Sequence, residues 1–433
     1  AEAGGLDVDD DPAIPRLGGW SAPGVAHTVR MARTPDNQRG CRCVSPSRLS
    51  ANKQHMCVIE DGPLDTIVTA IVTGMTMIDP DAPVLVTGAS GYIGSWIVRR
   101  LLEAGHTVHG TVRNPQKATG LEHLHKLSAD YPGQLTLFKA DLLDVGSFDE
   151  AMAGCELVMH TASPFLLQGV TDAQESLVRP ALEGTRNVLD SVNRTESVKR
   201  VVLTSSVVAI YGDARESRDV PGGVFTEDQW NTTSSVDHQP YSYSKTVAEQ
   251  EAWKYQKAQN RWDLVTIHPG LVLGPSLTSA SDSASLATMK QFADGTMLTG
   301  APELTSGIVD VRDVADAHVR AGYTPGAHDR YLVNAASLSL LEIGQILRAK
   351  FGVLYPFPWL NVPKVAVKAV APVIGLTREF VDTNVGYPLV FDASRSQSEL
   401  GLVYRPIEQT VTDHFQQMLD DGIVRKRPSI RLP

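Results

Sequence analysis

Tyr241 and Lys245 stand four residues apart in the run Tyr241-Ser242-Tyr243-Ser244-Lys245-Thr246-Val247-Ala248-Glu249. On a helix that spacing puts both side chains on one face. An ammonium held beside a phenol lowers the phenol's pKa from about 10 toward working pH, which makes a proton donor. A tyrosine and lysine at this spacing recur often by chance and alone carry little meaning. Upstream, the apolar run Val201-Val202-Leu203-Thr204 ends in Ser205 and Ser206. At that edge of a parallel sheet a hydroxyl can polarise a carbonyl, although serines at strand ends usually cap or turn the backbone. Ser206 gains meaning from the company of Tyr241 and Lys245, so these three are the candidate catalytic residues.

A second chemistry is written near Thr87. The short strand Val84–Val86 runs into Thr87-Gly88-Ala89-Ser90-Gly91-Tyr92-Ile93-Gly94, a GxxGxxG array that opens an amphipathic stretch. Glycines there permit a tight turn and let the backbone approach a pyrophosphate, while the helix N-terminus supplies N–H groups and partial positive charge. Between a strand and a helix the array reads as a dinucleotide site rather than a structural turn. The second strand ends in Gly110-Thr111-Val112-Arg113-Asn114. No acid stands there to accept from a ribose 2′-hydroxyl, whereas Arg113, aided by Lys117, suits a 2′-phosphate. NADP(H) is the expected cofactor, and no metal is expected.

The elements that must position these groups follow from periodicity. Candidate strands are Val84–Val86, Thr107–Val112, Leu135–Phe138, Leu157–His160, Val201–Thr204 and Leu264–His268, and between the first two Ile93, Ile97, Val98, Leu101 and Leu102 recur at helical spacing. Alternating strands and helices predict an α/β fold, a Rossmann-type doubly wound parallel sheet with a smaller, mainly C-terminal substrate lobe. Residues 80–265 are expected to form the NADP-binding domain. Residues 266–433 form mainly the lobe, with some segments returning to the sheet. Residues 1–79 show neither helix nor strand period and read as an extension, disordered or foreign to the native product. Cys41 and Cys43 lie in it without the second Cys or His pair a zinc site needs.

Composition bounds the partners. At 433 residues, 42% hydrophobic and 20% charged, the chain is long enough for a well-buried core. A formal charge of -10 leaves no general attraction to nucleic acid or to an anionic membrane. Apolar runs fall short of a membrane span, Val365–Leu376 being broken by Lys368 and Pro372. The expectation is a cytoplasmic protein, monomer or homodimer, acting on a small molecule. His160 and His268 end buried strands, where a lone histidine is usually packed and satisfied, and neither is nominated. Asp310 and Asp313 read as helix-start residues. Phe357, Trp359, Phe380 and Tyr387 could line an apolar pocket, with core packing the commoner fate.

The motifs VTGASGYIGSW, TVRNPQK, KADLLD, HTASP, VVLTSS, YSYSKTVAEQEAWKY and FDASRSQSELG resemble the extended short-chain dehydrogenase/reductase family, in the branch containing dihydroflavonol reductase and cinnamoyl-CoA reductase. The resemblance runs from about Pro83 to the C-terminus. It implies a catalytic triad of Ser206, Tyr241 and Lys245, with hydride delivered from the nicotinamide to a carbonyl carbon. Tyr241 would protonate the alkoxide, Ser206 would bond the same oxygen, and Lys245 would also hold the nicotinamide ribose. It further implies that Asp141 and Leu142 meet the adenine, that Thr161, Ala162 and Ser163 line the nicotinamide half, and that Pro269 to Val272 flank the carboxamide. The Asn-Trp-Tyr-Cys order of cinnamoyl-CoA reductases is replaced by Asp237-His238-Gln239-Pro240 before Tyr241, which argues against a CoA thioester. Val207 to Tyr211 lack the asparagine of dihydroflavonol reductases, which argues against a flavonoid. A sugar-nucleotide epimerase or dehydratase is the rival enzyme, disfavoured by Arg113. A non-catalytic NADP(H) sensor is the other, disfavoured by the complete triad.

Overall fold

The computed structural model describes residues 75–427, apart from 118, 164–171 and 279–283, together with His27–Val29, Cys41–Val44 and Met56–Val58. Those three short segments pair antiparallel within a unit spanning Ala1–Met75. The rest of that unit, and with it most of the expected extension, lies outside the described residues. The second unit, Thr76–Pro433, carries the candidate chemistry.

Its centre is a parallel sheet of seven strands: β1 (Val84–Thr87), β2 (Val108–Val112), β3 (Leu135–Lys139), β4 (Leu157–His160), β5 (Arg200–Thr204), β6 (Asp263–Pro269) and β7 (Asp329–Val333). They lie in the order β3-β2-β1-β4-β5-β6-β7, and every neighbouring pair is parallel. Parallel neighbours require crossovers. Helices α1 (Tyr92–Glu103), α2 (Glu122–Asp130), α3 (Arg179–Arg194), α4 (Pro240–Lys257) and α5 (Val311–Tyr323) supply most of them.

Alternation along the strands explains the two layers. In β1, Val84 and Val86 pack with Ile97, Leu101 and Val314 of α1 and α5, while Leu85 packs with Val188, Leu189 and Ala252 of α3 and α4. All four residues of β1 are buried, so the strand reads as a continuous apolar run, as a sheet covered on both faces demands. Each such aliphatic side chain contributes about 1.5–3 kcal/mol. The expected doubly wound α/β sheet is the observed one.

The seventh strand escaped the periodicity because it begins with the charged pair Asp329-Arg330. A further apolar core joins Leu273, Phe292, Ile308, Ile343, Phe357 and Phe415 in the C-terminal third. Phe357 is therefore core, whereas Trp359 is 51% exposed with the Arg348 guanidinium 3.7 Å over its ring. Asp310 caps α5, accepting from Arg312 N at 2.8 Å, the helix-start role expected of it. Among the described residues no helix is long and apolar enough to cross a membrane.

Candidate active site

Strand order reverses between β1 and β4, and open α/β sheets bind ligands in the crevice at such a switch point. Gly88 follows β1 with φ +68°, in the left-handed region, and a Cβ there would meet Ala162 Cα at 3.0 Å. A Cβ on Gly94 would overlap the Gly88 carbonyl. The turn thus folds on itself and on the chain leaving β4. Gly91 N donates to Gly88 O at 2.9 Å, and Gly91 caps α1 with no side-chain bond to the first N–H groups and no acid in the first turn. Those donors and the helix dipole suit an anion. Gly91 is exposed and Ser90 partly so. Tyr92 and Ile93 send their side chains into the protein, the Tyr92 hydroxyl donating to Gly274 O at 2.6 Å and Ile93 packing on the core. Their backbone alone remains for a phosphate.

Thr87 braces the floor of the crevice. Its Oγ1 accepts from Thr161 N at 3.2 Å and Ala162 N at 3.1 Å, so its own proton goes to His160 Nδ1 at 2.8 Å. Thr161 Oγ1 returns a bond to Thr87 O at 2.6 Å. His160 is thereby fixed as a neutral ring, and burial, helped by the charge of Lys245, drives its pKa down to about 3.

Arg113 and Lys117 are exposed beyond the end of β2, and no described carboxylate pairs with either. Asn114 stands where an acid would repel a 2′-phosphate. Asp141 is exposed beyond β3, its Oδ1 accepting from Leu143 N at 2.9 Å. Leu142 lies against Gly184 of α3, and its carbonyl accepts from Asn187 Nδ2 at 2.7 Å. Pro269 closes β6, while Val272 is buried in the core shared with β1 and α1. The glycine cradle, the uncapped helix start and the two exposed cations fit a phosphorylated dinucleotide.

Tyr241 and Lys245 sit in the first half of α4, whose N-terminus is set by Pro240. Lys245 Nζ donates to Ser163 Oγ at 3.2 Å, so the structure joins a residue of α4 to the segment that leaves β4. Ser206 starts the turn after β5, its Oγ accepting from Val208 N at 3.4 Å. Burial pushes the Tyr241 phenol up to about 12 and the Lys245 ammonium down to about 8, with Glu249 opposing the latter. The lowered phenol pKa expected from the four-residue spacing is thus not found. Loss of hydration sets the shift at Tyr241, and at Lys245 it outweighs the negative charge of Glu249. The phenol keeps its proton through neutral pH, the state an acid needs.

Two carboxylates that sequence reasoning gave no role hold α4 in place. Glu249, 1% exposed, accepts from Ser205 Oγ at 2.5 Å, His268 Nε2 at 2.7 Å and Arg330 Nε at 2.8 Å, with Trp253 Nε1 at 3.2 Å and Thr266 Oγ1 at 3.4 Å. Asp213 accepts from Gln239 Nε2 at 2.7 Å, from Thr383 Oγ1 and Asn384 Nδ2 at 2.8 Å each, and from His238 Nε2 at 3.0 Å. Glu249 could have been found as the next residue on the face of Tyr241 and Lys245. Asp213 could not, since Thr383 and Asn384 lie far along the chain. A cleft of about 630 Å³ opens by Trp230, Trp253, Lys254 and Arg395, but Ser206, Tyr241 and Lys245 do not line it.

Comparison with known proteins agrees with this fold. The NAD dependent epimerase/dehydratase family model matches residues 84–333, from the first residue of β1 to the last of β7. Tetraketide alpha-pyrone reductase 1 of Arabidopsis thaliana is 38% identical over 349 residues, covering 78% of this chain and 96% of that protein. Cinnamoyl-CoA reductase CAD2 of Medicago truncatula is 36% identical over 341 residues, covering 77% and 95%. Among solved structures, yeast methylglyoxal/isovaleraldehyde reductase Gre2 complexed with NADPH superposes with a TM-score of 0.65 at 27% identity, covering 78% of this chain and 99% of that one. With relatives matched along nearly their whole length and a family match that begins and ends with the sheet itself, the chain belongs to the NAD-dependent epimerase/dehydratase family, as an NAD(P)-dependent oxidoreductase of the extended short-chain dehydrogenase/reductase type.

Proposed function

We propose that the protein is an NADPH-dependent carbonyl reductase that converts an aldehyde or ketone to an alcohol, with Tyr241 as general acid. The observation that carries the reading is the Lys245–Ser163 bond of 3.2 Å, which ties the helix bearing Tyr241 to the crevice beside the glycine turn. Bound NADPH supplies the hydride. Gly88, Ser90, Gly91 and Gly94, with the backbone of Tyr92 and Ile93, hold its pyrophosphate, and Arg113 with Lys117 holds the 2′-phosphate. Asp141 and Leu142 border the adenine. Thr161, Ala162, Ser163, Pro269 and Val272 border the nicotinamide half, where Lys245 holds the ribose. Ser206 donates to the carbonyl oxygen, and Tyr241 delivers the proton as negative charge develops there.

Names of several relatives include cinnamoyl-CoA reductase. The absence around Tyr241 of the Asn-Trp-Tyr-Cys order expected of cinnamoyl-CoA reductases, Asp237-His238-Gln239-Pro240 preceding the tyrosine instead, favours an uncharged carbonyl compound over a CoA thioester. The test is a panel of aldehydes, aromatic ketones, flavanones and CoA thioesters, scored by consumption of NADPH or NADH. NADPH should exceed NADH in kcat/KM by about 10-fold or more, and Arg113→Glu should remove most of that preference. Equal use of the two cofactors by the wild type would refute the 2′-phosphate assignment.

A further inference from the structure

Burial pushes the Glu249 carboxyl up, but His268, Arg330 and Ser205 outweigh it and hold the pKa at about 2, so the group carries a negative charge at every working pH. Desolvating such a charge is expensive, and a well-packed apolar group of the same volume often serves stability equally well. The placement of its partners indicates what the charge is for. Ser205 is the covalent neighbour of Ser206, His268 of Pro269, and Glu249 itself follows Lys245 by one helical turn and Tyr241 by two. Arg330 brings in β7, where its guanidinium also bonds the carbonyls of Glu227 and Gln229 at 2.6 Å each and stacks 3.9 Å over Trp230.

The charged and titratable groups around the carboxylate are Lys245 on its own helix, His268 from β6, and Arg330 from β7. Glu227 faces His268 from the loop before α4. His160 of β4 in turn feels the charge of Lys245.

We propose that Glu249 is a positioning residue of the reductase site: its buried carboxylate pins the helix carrying Tyr241 and Lys245 to the strand ends carrying Ser206 and Pro269, and presents a fixed negative charge to the Lys245 ammonium. The proposal rests on the carbonyl-reductase reading above. Removing the charge takes away the interaction that opposes desolvation of Lys245, so the ammonium is lost at lower pH. Removing only one bond of the hub disturbs geometry and leaves the charge.

Wild type, Glu249→Gln, Ser205→Ala and Tyr241→Phe are compared by steady-state kinetics across pH and by quenching of NADPH fluorescence well below pH 8. Glu249→Gln should lower kcat about 10- to 100-fold, leave KM within about threefold, and move the basic limb of kcat, set near pH 8 by Lys245 in the wild type, to lower pH. Ser205→Ala should lower kcat by roughly threefold or more and leave that limb in place. NADPH should bind both variants within about threefold of wild type, which a collapsed site would not allow. An unchanged kcat and limb in Glu249→Gln overturns the proposal. If that variant cannot be obtained folded, Ser205→Ala decides, and wild-type kcat there overturns it. Wild-type turnover in Tyr241→Phe overturns the reductase reading along with the proposal, whereas an inactive Tyr241→Phe beside a fully active Glu249→Gln overturns the proposal alone.

Discussion

Asp213 and Glu249 anchor the same helix by different means. Glu249 meets the middle of α4 with a cationic Arg330, His268 and a short bond to Ser205, all inside the sheet layer. Asp213 meets its N-terminal end mostly with neutral amides and hydroxyls, from Gln239, Thr383 and Asn384, beside His238 at 18% side-chain exposure. Gln239 is bent into a left-handed conformation, φ 54°, to reach it, a strain of order 1 kcal/mol or more for a residue with a Cβ. The middle of the helix is fixed to the sheet by charge in a dry interior. Its first turn, where Tyr241 lies, is fixed through neutral donors to the helix Arg378–Asn384. The charged anchor therefore lies beside Lys245, and the mostly neutral one beside Tyr241.

The charged anchor is the costlier of the two to lose. Glu249→Ala leaves the buried Arg330 charge without its counter-ion and should cost about 3–5 kcal/mol of stability, read from the urea midpoint. Asp213→Ala leaves neutral donors unpaired and should cost about 1–3 kcal/mol. Equal losses would mean that the two anchors do not differ as described.

A smaller effect sharpens the contrast through pH. The folded pKa of Glu249, about 2, lies below its ordinary value of 4.5. Its stabilisation is thus present above the ordinary value and lost as pH falls toward the folded one. His160, at about 3 in the fold against 6.5 ordinarily, acts in the same direction, because the unfolded chain takes up its proton first. The melting temperature should fall as pH drops below about 6.5. In Glu249→Gln the decline below pH 4.5 should be shallower than in wild type, while Asp213→Asn, also held below its usual range, should flatten it less.

Legibility from sequence followed locality. The glycine turn is readable because Gly91 and Gly94 both answer the carbonyl of Gly88, close in the chain, even though Gly88 itself abuts the distant Ala162. Of the six strands readable in the sequence, five are buried along nearly their whole length, which demands apolar residues on both faces, while in the edge strand β3 only Leu135 is buried. β7 is not among them, since Arg330 enters the interior only by pairing with Glu249 and stacking on Trp230. The Asp213 clasp was invisible for the same reason: its partners, such as Asn384, are brought together by the fold and carry no mark of it in the chain. The direction of the Tyr241 shift is not legible in the sequence, because helical spacing reports proximity to Lys245, while the loss of water that dominates comes from burial by the whole fold.

The central claim is that a phenol which keeps its proton in the resting site gives it to the reduced carbonyl. Tyr241→Phe removes that proton and little else, and its turnover with NADPH is the most direct measurement. A loss of about 100-fold or more in kcat is expected, with NADPH affinity within a few-fold of wild type. Turnover at the wild-type rate with intact cofactor binding would contradict it.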